Sequence, residues 1–284
     1  MFWQTSRYRI DLAQPRVMGI VNVTPDSFAE GAPSAEASAA IERCERLVRS
    51  GAELLDIGGE STRPGAAPVP LTTELERVIP VLKAAVTLGL PVSVDTRTPE
   101  VMQAALDLGV DIVNDINALR APGAIEVVAR HPACGVCLMH MQGEPRAMQR
   151  EPTYRDVVTE VIAFLQERDA ALMGAGIAGD RIVIDPGIGF GKTPAHNLEL
   201  LQRQGELLSL GRPLLVGWSR KSTLGVLTGR PVGDRIASSV AAALLAVERG
   251  ARIVRVHDVE ATVDALTVWK AARPAPLPAP PGPR

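Results

Sequence analysis

The stretch VMGIVNVTPDSFAEGAPSAEASAAIERCERLVRSGAELLDIGG, residues 17–59, decides the architecture. It opens on an apolar run that ends in a polar side chain. In that run Ile20 and Asn22 share one face of an extended chain, and Val21 and Val23 share the other. Segment 35–50 then places Ile41, Cys44, Leu47 and Val48 at i, i+3, i+6 and i+7 and stops at Gly51, the spacing and terminator of a helix. ELLDIGG follows as a second strand, with Leu54, Asp56 and Gly58 set against Leu55 and Ile57. The unit is strand, helix, strand, with the polar group kept for the strand's end.

Six further runs of this kind follow: PVSVDT (91–96), DIVND (111–115), GVCLMH (135–140), RIVIDPG (181–187), PLLVGWSRKS (213–222) and RIVRVHD (252–258). Each precedes a stretch with helical spacing. Eight strand–helix units predict an α/β fold, a single (β/α)8 TIM barrel over residues 17–272, whose strand ends converge on one face. Residues 1–16, with RYRIDL, predict a short N-terminal strand or cap. Residues 273–284 are too rich in proline to pack as helix or inner strand, and predict a disordered tail. Thr73, three residues before Glu76, reads as a capping box opening a helix over 72–88, and the alanine-rich segment 233–250 reads as another helix. The longest linkers follow the first, second and fifth strands, where barrels carry lids and specificity loops.

Parity selects the side chains that face the barrel mouth. It groups Ser93 with Asp95, Val183 with Asp185 and Arg255 with His257, against a consistently apolar helix-facing side. In the fifth strand Met139 and His140 both sit near the end, and only one can point inward. The convergent set is Asn22, Asp56, Asp95, Asn114, Asp185, Lys221, Arg255 and His257. Carboxylates and an amide suit a flat heterocycle with several N–H groups, because an ionised carboxylate accepts two hydrogen bonds side by side. Arg63, Arg220, Lys221, Arg255 and His257 supply positive charge, and those after the last two strands fall where many barrels bind phosphate.

Composition excludes other classes. With 30 Lys+Arg against 32 Asp+Glu, no global field points to nucleic acid or a membrane surface. No apolar run approaches the roughly 18 residues of a membrane span, and the amino terminus lacks the apolar core of a signal peptide, so a cytoplasmic protein is expected. Cys134 and Cys137 form a C-x-x-C inside an apolar run without a second cysteine pair, and read as buried packing residues. DPGIGFGKT imitates a phosphate-binding loop, but only three residues separate Gly187 from Gly191 where that motif needs four. Its glycines read instead as a tight turn that lets backbone approach a ligand.

Taken together, MGIVNVTPDSF, DIGGESTRPGA, VSVDT, VNDI, LMHMQG, DPGIGFGK, GWSRKS and RVHDV resemble the dihydropteroate synthase family of pterin-binding barrels, in order, from about residue 17 to 270. The resemblance implies a transferase that joins a dihydropterin-methyl diphosphate to 4-aminobenzoate, releasing diphosphate and giving dihydropteroate. It implies that Asp95, Asn114 and Asp185 grip the pterin edge, that Ile116 and Met139 pack on its faces, and that Gly217 and Lys221 border it. Asn22 would hold Mg²⁺ at the diphosphate, with Arg255 and His257 beside it; Arg63 would reach the diphosphate and Asp26 is a further candidate there. Thr62, Pro64, Phe190, Lys221 and Ser222 would line the aminobenzoate pocket, with Thr62 also touching the pterin diphosphate. Lys221, Arg63, Arg255 and Asp95 are the implied catalytic residues. The family is homodimeric, and 236–246 is a candidate packing surface. The first linker departs from the family's usual Ser-Asp-Gly-Gly after Phe28, and Ile188 stands where phenylalanine is common. A corrinoid-linked methyltransferase module is disfavoured by the STRPG and SRKS motifs, and a non-catalytic paralogue by the retention of Asn22, Lys221 and Arg255.

Overall fold

In a computed structural model, residues 1–24, 33–61 and 65–272 are described. The chain opens with a hairpin of β1 (Phe2–Gln4) and β2 (Arg9–Asp11), paired antiparallel. Eight parallel strands follow: β3 (Arg16–Asn22), β4 (Leu54–Gly58), β5 (Val92–Asp95), β6 (Ile112–Asp115), β7 (Gly135–Met139), β8 (Ile182–Asp185), β9 (Leu215–Val216) and β10 (Ile253–Val256). They pair in the order β8-β7-β6-β5-β4-β3-β10-β9, and a parallel bridge between Ile184 and Leu214 joins the two ends of the sheet into a nearly closed barrel. The eight expected strands are therefore all present.

The connecting helices are α1 (Pro33–Arg49), α2 (Leu71–Ala85), α3 (Pro99–Asp107), α4 (Ala124–Arg130), α5 (Val157–Gly174), α6 (Pro194–Gln202), α7 (Ser222–Thr228), α8 (Ile236–Glu248) and α9 (Val259–Ala271). One expectation is corrected here. Helix α2 starts at Leu71, so Thr73 lies within its first turn and caps nothing. Pro70 occupies the cap position at φ −57°, and its ring pre-sets the turn into the helix without a side-chain bond.

Two apolar layers hold the barrel. Outward residues such as Val21, Ile57, Val94, Val113 and Ile184 pack under the helices in one large cluster. Inside, Met18, Leu54, Ile112, Cys137, Val183, Leu215 and Ile253 fill the lower barrel, and Trp3, Ile10 and Leu12 of the hairpin close it from below. The Trp3 indole donates to the Arg181 carbonyl at 2.9 Å, so its one polar atom is satisfied in a fully buried position. Arg7 ties the hairpin to the buried Asp111 carboxylate at 2.6 Å. With the lower end filled, the upper end is where a ligand can enter. All three cysteines are free and buried, which agrees with the packing role read for Cys134 and Cys137.

Candidate active site

A cavity of about 890 Å³ opens at the carboxyl ends of the barrel strands. Asn22, Asp95, Asn114, Ile116, Met139, Asp185, Phe190, Gly217, Lys221, Ser222, Arg255 and His257 all line it, as sequence parity and motif position anticipated. The open choice in β7 resolves to Met139, which joins Ile116, Met141, Met148 and Phe190 in an apolar cluster on the cavity wall. His140 points away and packs edge-on against Phe164, with ring centroids 4.9 Å apart. Asp26, Thr62, Arg63, Pro64 and the segment 273–284 lie outside the described residues.

The floor is acidic and tightly bonded. Arg255 donates from Nε to Asp56 Oδ2 at 2.5 Å and from Nη2 to Asp95 Oδ2 at 2.6 Å. Asn114 donates to the same Asp56 oxygen at 3.1 Å. Asp56 Oδ1 is buried with no hydrogen-bond partner among the described residues. One guanidinium thus serves two carboxylates. Burial raises the Asp95 pKa, and the neighbouring Asp56 charge adds to the rise against the pull of Arg255. Arg255 itself stays firmly protonated, because the two carboxylates outweigh its burial. Its charge is directed into the floor, which distinguishes it from a free cation waiting at the rim.

Across the floor Asp185 is pushed up to about 6, chiefly by burial, while the Gly187 amide, donating to Oδ1 at 2.7 Å, favours its ionised form. The Lys221 ammonium lies 4.1 Å from the centroid of the Phe190 ring. Burial and then Arg255 lower its pKa to about 8, while Asp185 and Asp95 oppose them. Arg220 precedes it in a left-handed backbone conformation, φ +59°, uncommon for a residue with a side chain. Its amide is held by the Ser239 hydroxyl and its guanidinium by Asp258, at 2.9 and 2.5 Å. This anchored bend directs Lys221 into the cavity, and Arg220 spends its charge on Asp258.

The third side of the cavity is formed by Asn22, Ser219 and His257, joined by Arg43 from α1. His257 Nδ1 sits 3.1 Å from the Ser219 hydroxyl, and burial followed by Arg255 lowers its pKa to about 3. Arg43 donates from Nε to the Ile20 carbonyl at 3.1 Å. The helical pattern of α1 identified only its apolar stripe, so nothing in the sequence marked Arg43 as a cavity residue. Asp56 stood in the convergent set without a role; its place under Arg255 and Asn114 supplies one.

The profile of pterin-binding enzymes matches residues 18–257. Dihydropteroate synthase of Neisseria meningitidis serogroup B is 52% identical over 275 residues, covering 95% of this chain and 96% of the relative. The chain belongs to the dihydropteroate synthases. Xanthomonas albilineans dihydropteroate synthase, solved with 4-aminobenzoic acid, is 51% identical and superposes with a TM-score of 0.91, covering 97% of this chain and 100% of that one. The Burkholderia cenocepacia dihydropteroate synthase complexed with 7,8-dihydropteroate is also 51% identical, with a TM-score of 0.86 and 96% of each chain covered. Dihydropteroate synthases thus share the barrel with this chain over nearly its whole length.

Among the described residues no group of three His, Cys, Asp or Glu could cage a metal ion. Asn22 instead offers one hard amide oxygen beside His257 and Ser219. That donor set fits Mg²⁺ arriving with a phosphate ligand, since Mg²⁺ keeps several waters and takes one or two protein oxygens plus substrate phosphates.

Proposed function

We propose that the cavity divides into three parts for the reaction of a dihydropteroate synthase. The chain condenses (7,8-dihydropterin-6-yl)methyl diphosphate with 4-aminobenzoate to 7,8-dihydropteroate and diphosphate. In this reading Asp185, Asn114 and Asp95 take the pterin edge, with Ile116 and Met139 on its faces and Gly217 bordering it. Lys221 binds the opposite side of the ring and, with Phe190 and Ser222, faces the aminobenzoate; the resemblance assigns Thr62 and Pro64, outside the described residues, to the same substrate. Asn22, His257 and Arg43 face the departing diphosphate; the resemblance assigns Arg63, outside the described residues, to the same group.

The single observation that carries this division is the polarity of the cavity. Its carboxylates face Lys221 across the floor, and Asn22, His257 and Arg43 line the remaining side. The C–O bond of the methylene breaks, its electron pair leaves with the diphosphate, and the amine nitrogen forms the new C–N bond. The electron-rich pterin stabilises positive charge on the methylene, so fixed donors around the leaving group lower the barrier most. An aromatic amine is already nucleophilic and loses its proton after attack, so no general base is required. Asp95 and Arg255 act by holding the pterin acceptors in place. Mg²⁺ bound with the diphosphate would supply further neutralising charge, with Asn22 as its protein ligand.

Purified protein supplied with dihydropterin diphosphate, labelled 4-aminobenzoate and Mg²⁺ is expected to give labelled dihydropteroate and one equivalent of diphosphate. No labelled product would sink the reading. Asn22→Ala is expected to raise the Mg²⁺ concentration for half-maximal rate about tenfold, the usual order for loss of a metal-site contact. An unchanged Mg²⁺ requirement would remove Asn22 from the metal. Homodimer formation belongs to the same proposal and is supported by exposed Val226, Leu227, Val232, Ile236 and Leu245 on and around α7 and α8. A cytoplasmic location is supported by the three free thiols. Among the described residues no helix is long and apolar enough to cross a membrane.

A further inference from the structure

The turn after β8 runs Gly187, Ile188, Gly189, Phe190, Gly191, Lys192, and its sequence imitates a phosphate-binding loop. The lysine of that false motif enters no part of the reaction described above. Its ammonium is nevertheless buried. It lies 2.8 Å from His140 Nδ1, 3.0 Å from the Phe190 carbonyl, 3.1 Å from the Gly187 carbonyl and 3.3 Å from the His140 carbonyl. Three backbone carbonyls and one imidazole nitrogen thus converge on a single cation. Burial and the ammonium hold His140 well below its ordinary pKa, so its Nδ1 accepts and the ring proton sits on Nε2. Without an ammonium, the His140 and Phe190 carbonyls would share a buried point with no donor, and the Gly187 carbonyl would keep only the Phe190 amide at 3.0 Å.

The glycines explain how the turn comes so close to β7. Gly187 has φ +69°, and a Cβ there would stand 1.9 Å from the His140 carbonyl oxygen. Gly191 has φ +59°, and a Cβ would stand 2.4 Å from the Gln142 carbonyl oxygen. Only glycine permits both the positive φ and the approach. The far side of the same turn is the cavity wall: Ile188, Gly189 and Phe190 line it, and the Gly187 amide holds Asp185.

We propose that the Lys192 ammonium is a built-in cation that sets the shape of the 187–190 turn, and with it the acceptor at Asp185 and the aromatic wall at Phe190. Lys192 touches no substrate; it is a positioning residue. It is also one of three cations that face Asp185, with Lys221 after β9 and Arg255 on β10, each favouring its ionised form. The other groups around Asp185 are the Gly187 amide and, below it on β7, the Cys137 thiol. Asp185 in turn favours the charged form of Lys192, against burial and Lys221, which lower it to about 7. The inference rests on the pterin role given to Asp185 and the aminobenzoate role given to Phe190.

Two substitutions separate charge from shape. Lys192→Met removes both; Lys192→Arg keeps the charge, but a planar guanidinium cannot converge on three carbonyls in the same space. For folded Lys192→Met, the KM for 4-aminobenzoate is expected to rise about tenfold. The acid limb of dihydropterin diphosphate binding, followed by calorimetry from pH 5 to 8, is expected to move up by about one pH unit. Lys192→Arg is expected to show the raised KM with the acid limb of the parent. A merely structural lysine would lower the amount of folded enzyme and move neither quantity. Parental KM in Lys192→Arg overturns the proposal even where Lys192→Met fails to fold, and so does a folded Lys192→Met with both quantities unchanged. Asp185→Asn run in parallel keeps the two readings apart. If it binds the pterin substrate normally, the role of Asp185 falls; if it binds weakly while both Lys192 variants match the parent, only the role of Lys192 falls.

Discussion

Replacing Arg255 by methionine is expected to lower the unfolding free energy at pH 8 by about 3–5 kcal/mol, the usual cost of stranding a buried partner charge, and to abolish turnover. The guanidinium bonds Asp56 and Asp95 together, and Asp56 is wholly buried. Methionine fills the space of the stem but leaves two carboxylates facing each other in a dry floor. Asp95, already raised by burial, then loses the opposing pull of Arg255 and will take up a proton in the folded state at a higher pH than before. A carboxyl whose folded pKa is raised contributes stability that is present below its unfolded pKa and lost as pH rises through the folded value. The deficit of the variant must therefore shrink on acidification from pH 8 to 5. Urea denaturation at the two pH values reads this directly. An equal deficit at both would mean that packing, rather than stranded charge, accounts for the loss. Adding Asp56→Asn to the methionine variant is expected to restore part of the stability and none of the activity, since Asp95 would still lack its cation.

This floor also marks where the sequence stops being informative. Strand positions and inward faces could be read because a strand repeats every two residues, and valine or isoleucine on the outer face exposes the parity. That ground alone places Asp95, Asp185 and His257 at the mouth, and Asn114 joins them as a polar group at its strand's end. What each side chain bonds was not legible. Arg255 and Asp56 are 199 residues apart and meet across a closed barrel, so no local pattern announces the pair. Positive charge on the last strand suggested an anion site, and the structure turns most of that charge downward onto two carboxylates. In β7 parity left two choices, and the apolar wall beneath the cavity settled them in favour of Met139.

Arg43 and Lys192 were missed for different physical reasons. A helix read through its apolar stripe gives no weight to an arginine beside that stripe, although α1 leans over the barrel mouth and brings it to the cavity. Lys192 was dismissed together with the phosphate-loop motif to which it does not belong. The glycine spacing that excluded the motif was itself the useful signal, because alternating glycines turn carbonyls toward one point, and buried carbonyls need a donor. The start of α2 was misplaced because Thr73 and Glu76 match a capping pattern, whereas Pro70 had already fixed the backbone three residues earlier.

Asp185→Asn is expected to weaken binding of the dihydropterin diphosphate about 100-fold at pH 8, because charge-assisted bonds to a carboxylate contribute roughly 1.5–3 kcal/mol each. A carboxylate accepts two N–H groups side by side; an asparagine accepts one and turns an N–H toward the other. The Gly187 amide keeps its acceptor in either case, so the turn itself should hold. Affinity of the parent should fall as pH drops through about 6, where Asp185 takes up a proton. The variant should be nearly flat over the same range, with the two curves converging at low pH. Stability should change in the opposite direction. The folded pKa of Asp185 lies above its unfolded value, so the parent loses stability as pH rises from about 4 through 6. The variant carries no such penalty and is expected to be at least as resistant to urea as the parent at pH 8. Calorimetry across this pH range, paired with denaturation of the same samples, checks both signs together. Weak binding with lowered stability at pH 8 would instead mean that asparagine had disturbed the floor. Tight binding would show that the carboxylate, ionised at a cost to the fold, is not what recognises the pterin.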